Sequence, residues 1–134
     1  MFLLDTAVLS ELRKKDRNPG LVRWIKDKQR EQLFISVVTI GEIERGIWPQ
    51  RNKDAAFAAK LGDWLSQLLL LHKDRILPIT TSVAMRWGQL SAVAGHAGAD
   101  MLIAATALEH DLTVVTRNER HFAPAAVPCV NPWE

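Results

Sequence analysis

Three carboxylates, Asp5, Glu42 and Asp100, stand far apart in the chain but in the same kind of place. Each lies where an apolar, strand-like run gives way to a helix, or at a helix start. The contexts are Phe2-Leu3-Leu4-Asp5-Thr6, Thr39-Ile40-Gly41-Glu42-Ile43 and Gly98-Ala99-Asp100-Met101. In an open α/β sheet, residues at the carboxyl ends of the strands share one crevice, and ligands bind there. Carboxylates crowded into such a crevice repel, and at least one pKa rises unless a cation compensates. A hard divalent metal is the simplest such cation, and phosphodiester hydrolysis is the chemistry it would support. Each acid also has an ordinary structural explanation. Asp5 can cap the following helix, Thr39 and Glu42 have the spacing of a capping box, and Asp100 favours a first helical turn. Those explanations do not account for acids at all the junctions around one crevice.

The elements that must position these acids alternate between strand and helix. Phe2 to Leu4 read as a buried strand, followed by a helix from about Thr6 to Lys14. Asn18-Pro19-Gly20 is a turn from which Pro19 opens a helix through about Gln29. Leu33 to Val38 read as a strand, Thr39 to Gly46 as a helix, and Asp54 to Leu71 as a longer helix with apolar residues on a helical repeat. Arg75 to Ile79 is a short strand made irregular by Pro78. Helices follow from Thr80–Ser82 to about Val93 and from Ala99 to Glu109, then strands at Leu112 to Thr116 and Val127 to Val130. This alternation implies βαβ crossovers and a mainly parallel sheet covered on both faces.

With 134 residues, and no linker, repeat or low-complexity tract, residues 1–134 are expected to form one α/β domain. A 48% hydrophobic and 24% charged composition is ordinary for a globular protein. The longest apolar run, Leu68 to Leu71, stops at His72-Lys73-Asp74-Arg75, far short of a bilayer span, so no membrane association is expected. No export signal opens the chain, and the single cysteine, Cys129, excludes an internal disulfide and a cysteine-based zinc cluster. A cytoplasmic setting is expected. The net charge of +2 permits nucleic-acid binding without arguing for it. Arg13, Lys14, Lys15 and Arg17 after the first helix read first as a solvated face.

Other catalytic patterns are missing. There is no glycine-rich phosphate loop, no H-E-x-x-H among His72, His96, His110 and His121, and no Gly-x-Ser-x-Gly elbow. A phospho-receiver would need an acidic pair at the first strand, where Asp5 stands alone.

The segments Leu3-Leu4-Asp5-Thr6-Ala7, Ser36-Val37-Val38-Thr39-Ile40-Gly41-Glu42, Ala99-Asp100-Met101-Leu102-Ile103-Ala104-Ala105-Thr106 and Val114-Val115-Thr116-Arg117-Asn118 resemble, in order, the four motifs of PIN-domain nucleases. Val130-Asn131-Pro132-Trp133 is similar to the ending of the FitB-like branch, within the VapC-type toxins of bacterial toxin–antitoxin pairs. The resemblance spans essentially the whole chain. It implies a PIN-like domain with a central, mainly parallel five-stranded sheet flanked by helices. It further implies endoribonuclease activity at an acidic Mg²⁺ or Mn²⁺ site. Asp5, Glu42 and Asp100 carry over as catalytic and metal-binding acids, with Thr6, Thr116 and Asn118 in support.

The resemblance also implies an RNA substrate, tRNA or ribosomal RNA, and restraint by a VapB-type antitoxin. Operator DNA would be reached only through that antitoxin, and the chain is expected to form a homodimer. Val8, Leu12, Ile43 and Ile47 are candidates to line the antitoxin's groove, or else to belong to the core. Two departures stand out. Ala7 replaces the usual Asn after Asp-Thr, and the fourth acid, which relatives place at the position of Asn118 or His121, is missing. Glu119 is the nearest substitute. Loss of an amide that orients a ligand costs about 10–100-fold in metal affinity or activity. The expected alternative is therefore a weakened or silent PIN-fold module that binds RNA or antitoxin.

Overall fold

The three-residue strand β1, Phe2–Leu4, occupies the centre of the sheet and sends alternate side chains to opposite faces. The computed structural model describes all 134 residues and contains β2 (Leu33–Ser36), β3 (Ile76–Leu77), β4 (Thr113–Val115) and β5 (Cys129–Val130). The strand order is β3-β2-β1-β4-β5 and every pairing is parallel, with Phe2 opposite Leu33 on one side and Thr113 on the other. Strands this short need both faces covered, and the helices supply the cover.

On one face, Leu4, Leu33, Ile35 and Val115 pack against helices α1 (Thr6–Arg13), α2 (Pro19–Lys26), α3 (Val37–Ile47) and α5 (Ala55–Leu71). On the other, Leu3 and Val114 meet α6 (Thr81–Ala94), α7 (Ala99–Glu109) and the fully buried Phe122. One short helix, α4 (Gln50–Lys53), lies between α3 and α5, where the sequence pattern indicates none. It is a single turn, too brief to show periodicity. Expected boundaries shift by a few residues elsewhere. Helix α2 stops at Lys26 rather than Gln29, and β3 is only two residues because Pro78 cannot donate to the ladder.

The start of α3 differs in a more telling way. Ser36, not Thr39, caps it, its side chain accepting from the Val38 N–H at 3.1 Å. The Thr39–Glu42 spacing is therefore not a capping box, and Thr39 lies fully buried inside the helix. At α2, Gly20 is required by close approach. A methyl group there would sit 2.5 Å from the Pro132 carbonyl oxygen and from the Glu134 side chain. The terminal residues cross α2 at that point, held by Asn18, which donates to the Glu134 carbonyl at 2.9 Å and accepts its N–H at 3.1 Å.

His72 closes α5, its ring Nδ1 lying 3.2 Å from the Leu68 carbonyl. Burial holds its pKa below the usual imidazole range. The bond to the Leu68 carbonyl opposes this without cancelling it, and Arg75 and Arg30 reinforce it. A depressed folded-state pKa means the unfolded chain takes up this proton first as pH falls. The stability is complete above the unfolded value and declines below it. Thermal denaturation should therefore show a loss between neutral pH and pH about 5 that is smaller in His72→Gln, which does not titrate. Parallel pH profiles for the two proteins would show that His72 is not responsible.

Candidate active site

The order of strands reverses at β1 and β4, the pair where an open sheet leaves a crevice beyond its carboxyl ends. Asp5 follows β1 directly and Thr116 follows β4. The Asp5 backbone N–H extends the ladder by donating to the Val115 carbonyl at 3.0 Å. That places the Asp5 side chain over the crevice, where it is only 6% exposed. One carboxylate oxygen, Oδ1, accepts from the Thr6 N–H at 2.8 Å, which makes Asp5 the N-cap of α1. The other, Oδ2, accepts from the Thr116 hydroxyl at 2.8 Å. Thr116 Oγ1 in turn accepts the Asn118 N–H at 3.0 Å, so its hydroxyl orientation is fixed from both sides.

Glu42 reaches the same region from α3. Thr6 Oγ1 lies 2.5 Å from Glu42 Oε1 and 3.2 Å from Thr39 Oγ1. A hydroxyl has one proton to give, and the shorter, charge-assisted bond to Glu42 takes it. Thr39 is then left to donate to Thr6. Its buried hydroxyl thereby gains a role that the sequence spacing had concealed. Asp100 comes from the first turn of α7, half-buried, with its Oδ2 3.4 Å from His121 Nδ1. His121 ends a one-turn 3-10 helix, Glu119–His121, that starts straight after Asn118. It stands at one of the two positions where the resemblance places a fourth acid, and meets Asp100 there. Ala7, half-buried in the first turn of α1, presents no polar atom to its neighbours.

The electrostatics agree with a crowded acidic cluster. Burial, more than anything else, lifts the Asp5 pKa above the usual carboxylate range, and the negative charges of Asp100 and Glu42 push the same way. The bonds from Thr116 and the Thr6 N–H oppose the rise without cancelling it. The donors gathered here are carboxylate and hydroxyl oxygens, which suit a hard cation. No three His, Cys, Asp or Glu side chains close into a ready cage.

Comparison with known proteins bears on the whole chain. The PIN domain family model matches residues 2–127. The chain is 36% identical over 139 residues to Toxin FitB of Neisseria gonorrhoeae, covering 99% of each. It is 33% identical over 141 residues to VapC ribonuclease Y4jK of Sinorhizobium fredii, covering 100% of this chain and 99% of the relative. A solved structure of FitAB bound to a DNA fragment contains a chain that superposes with a TM-score of 0.87 at 34% identity, covering 100% of this chain and 96% of that one.

The raised Asp5 pKa has a consequence for stability. With its folded-state pKa above the unfolded value, ionised Asp5 destabilises the fold at neutral pH, and the cost is relieved as pH falls through the folded pKa. Asp5→Asn keeps a capping oxygen and removes the charge. In chelator at neutral pH this variant should melt a few degrees above the parent. A midpoint several degrees lower would mean that the carboxylate's hydrogen bonds outweigh its burial and repulsion.

Proposed function

This chain belongs to the PIN-domain family, and on that premise we propose that it is the endoribonuclease toxin of a VapBC-type pair, cutting RNA phosphodiester bonds with Mg²⁺ or Mn²⁺. The observation that carries this reading is the Asp5 carboxylate, buried at the sheet's reversal point, pinned by Thr116 and crowded by Glu42 and Asp100. Asp5, Glu42 and Asp100 would hold the ion, which when bound would activate a water and neutralise charge on the phosphate. Thr116 and Thr6 keep two of these carboxylates in fixed orientations, and Asn118 fixes Thr116 through its backbone. His121 lies beside Asp100, with its Nδ1 3.4 Å from the carboxylate.

A nuclease of this kind needs restraint. The acidic cluster is a docking point for an arginine or lysine of a VapB-type antitoxin, which would offset the carboxylates as a metal does. The relative solved as FitAB bound to a DNA fragment supports such a pairing, and operator DNA is read as reached only through the antitoxin. The substrate is read as tRNA or ribosomal RNA and the assembly as containing a homodimer of this chain. No helix is long and apolar enough to cross a membrane.

Ala7 and the lack of an acid at Asn118 and His121 favour a second reading, an attenuated or silent PIN-fold module. Incubation of purified protein with total RNA separates the two. The enzyme reading expects cleavage with Mg²⁺ or Mn²⁺, none with chelator, and none from Asp5→Ala. Cleavage that survives Asp5→Ala would belong to a contaminant, and intact RNA in every condition would favour the silent module.

Position 7 can be tested on its own. Ala7→Asn should raise cleavage by about 10–100-fold, the usual worth of a group that orients a metal ligand. It should also slow growth of a host that expresses it. Unchanged cleavage and growth with intact metal binding would show that Ala7 does not limit this enzyme.

A further inference from the structure

Two cavities with shared walls lie beside the acidic cluster, the inner one reaching it at Thr6 and Glu42, and their linings differ in character. The inner one, about 260 Å³, is lined by Thr6 and Glu42 together with Arg13, Phe57 and Trp64. The outer one, about 360 Å³, shares those last three residues and adds Lys14, Lys15 and Lys60, with no acidic side chain in its wall. Lys14 is tied to Glu11 at 3.1 Å, whereas Arg13, Lys15 and Lys60 have no carboxylate partner. The Arg13 guanidinium lies 5.8 Å from the centre of the Phe57 ring, and Phe57 is 36% exposed. Part of the basic run that reads in sequence as a solvated face thus forms the rim of a groove leading to the candidate site.

We propose that this groove between α1, α3 and α5 seats the single-stranded RNA segment flanking the bond to be cut. A base packs against Phe57 and Trp64, and phosphates lie on Arg13, Lys15 and Lys60. This rests on the ribonuclease reading above and adds where the substrate lies and in what form. The physical grounds are a cationic rim without acids, which concentrates a polyanion. The exposed Phe57 ring and the Arg13 guanidinium accept unstacked bases of any identity, with the partly buried edge of Trp64 beside them. A base-paired stem would hide those base faces, so the groove selects loops or unpaired ends.

The test is fluorescence anisotropy with a short, labelled, mixed-sequence single-stranded RNA, using the full chain in the Asp5→Asn background in chelator so that the probe survives. Three proteins are compared: that background alone, with Lys15→Glu and Lys60→Glu together, and with Phe57→Ala. Circular dichroism and melting of each confirm the fold. Reversing the two charges should weaken binding at least about tenfold and flatten its salt dependence by about 0.7 in the log–log slope for each phosphate no longer neutralised. Phe57→Ala should weaken binding about tenfold while leaving that slope unchanged. If the background protein binds RNA and both variants bind equally well, the groove is not the RNA seat and the inference fails, while the ribonuclease reading stands. If the background protein binds no RNA, the ribonuclease reading fails first. Variants that bind RNA normally but no longer bind a VapB-type antitoxin that the background protein binds would assign the groove to the protein partner and overturn the inference.

Discussion

The hydrogen bond from Thr116 to Asp5 joins the ends of the two central strands and holds a buried, charged carboxylate in place. Burying a charge is costly unless it is hydrogen-bonded and compensated. Here the hydrogen bonds are supplied by Thr6 and Thr116, while the nearby charges are Glu42 and Asp100, of the same sign. The surrounding framework is packed on both sides. Apolar cores press on both faces of the sheet, and Leu3, Val114 and Val115 beneath the site are completely buried. A cation brought to such a cluster would relieve its repulsion.

The remaining elements follow from that need. The reversal of strand order at β1 and β4 creates the crevice, and helix starts deliver Asp5 and Asp100 into it from separate parts of the chain. Glu42 is the exception, standing one turn inside α3, and it reaches the cluster through Thr6. The hydroxyls of Thr6, Thr39 and Thr116 do the connecting. They are short enough to be buried and polar enough to aim a carboxylate without neutralising it.

Most of the architecture is legible in the chain itself. Apolar runs of strand length alternating with amphipathic helices lead to a parallel sheet, and the sheet found has every pairing parallel. The junction acids can be located because strand ends in such sheets face one crevice. Three features are not legible, each for a physical reason. The single turn α4 is shorter than any hydrophobic period. The Thr39–Glu42 spacing satisfies a capping-box pattern that Ser36 makes unnecessary, since the cap lies three residues earlier. The contacts of His121 with Asp100, and of Phe57 and Lys60 with the region of Arg13, join residues distant in sequence that only the tertiary fold brings near.

The central claim is that Asp5, Glu42 and Asp100 act as one cation-binding unit rather than as three independent helix-end acids. Calorimetric titration of Mn²⁺ into the metal-free parent, Asp5→Asn and Asp100→Asn tests this without reference to any substrate. A single unit predicts saturable binding by the parent and at least about a tenfold loss of affinity in each variant. Binding that is unchanged when either Asp5 or Asp100 loses its charge would contradict it.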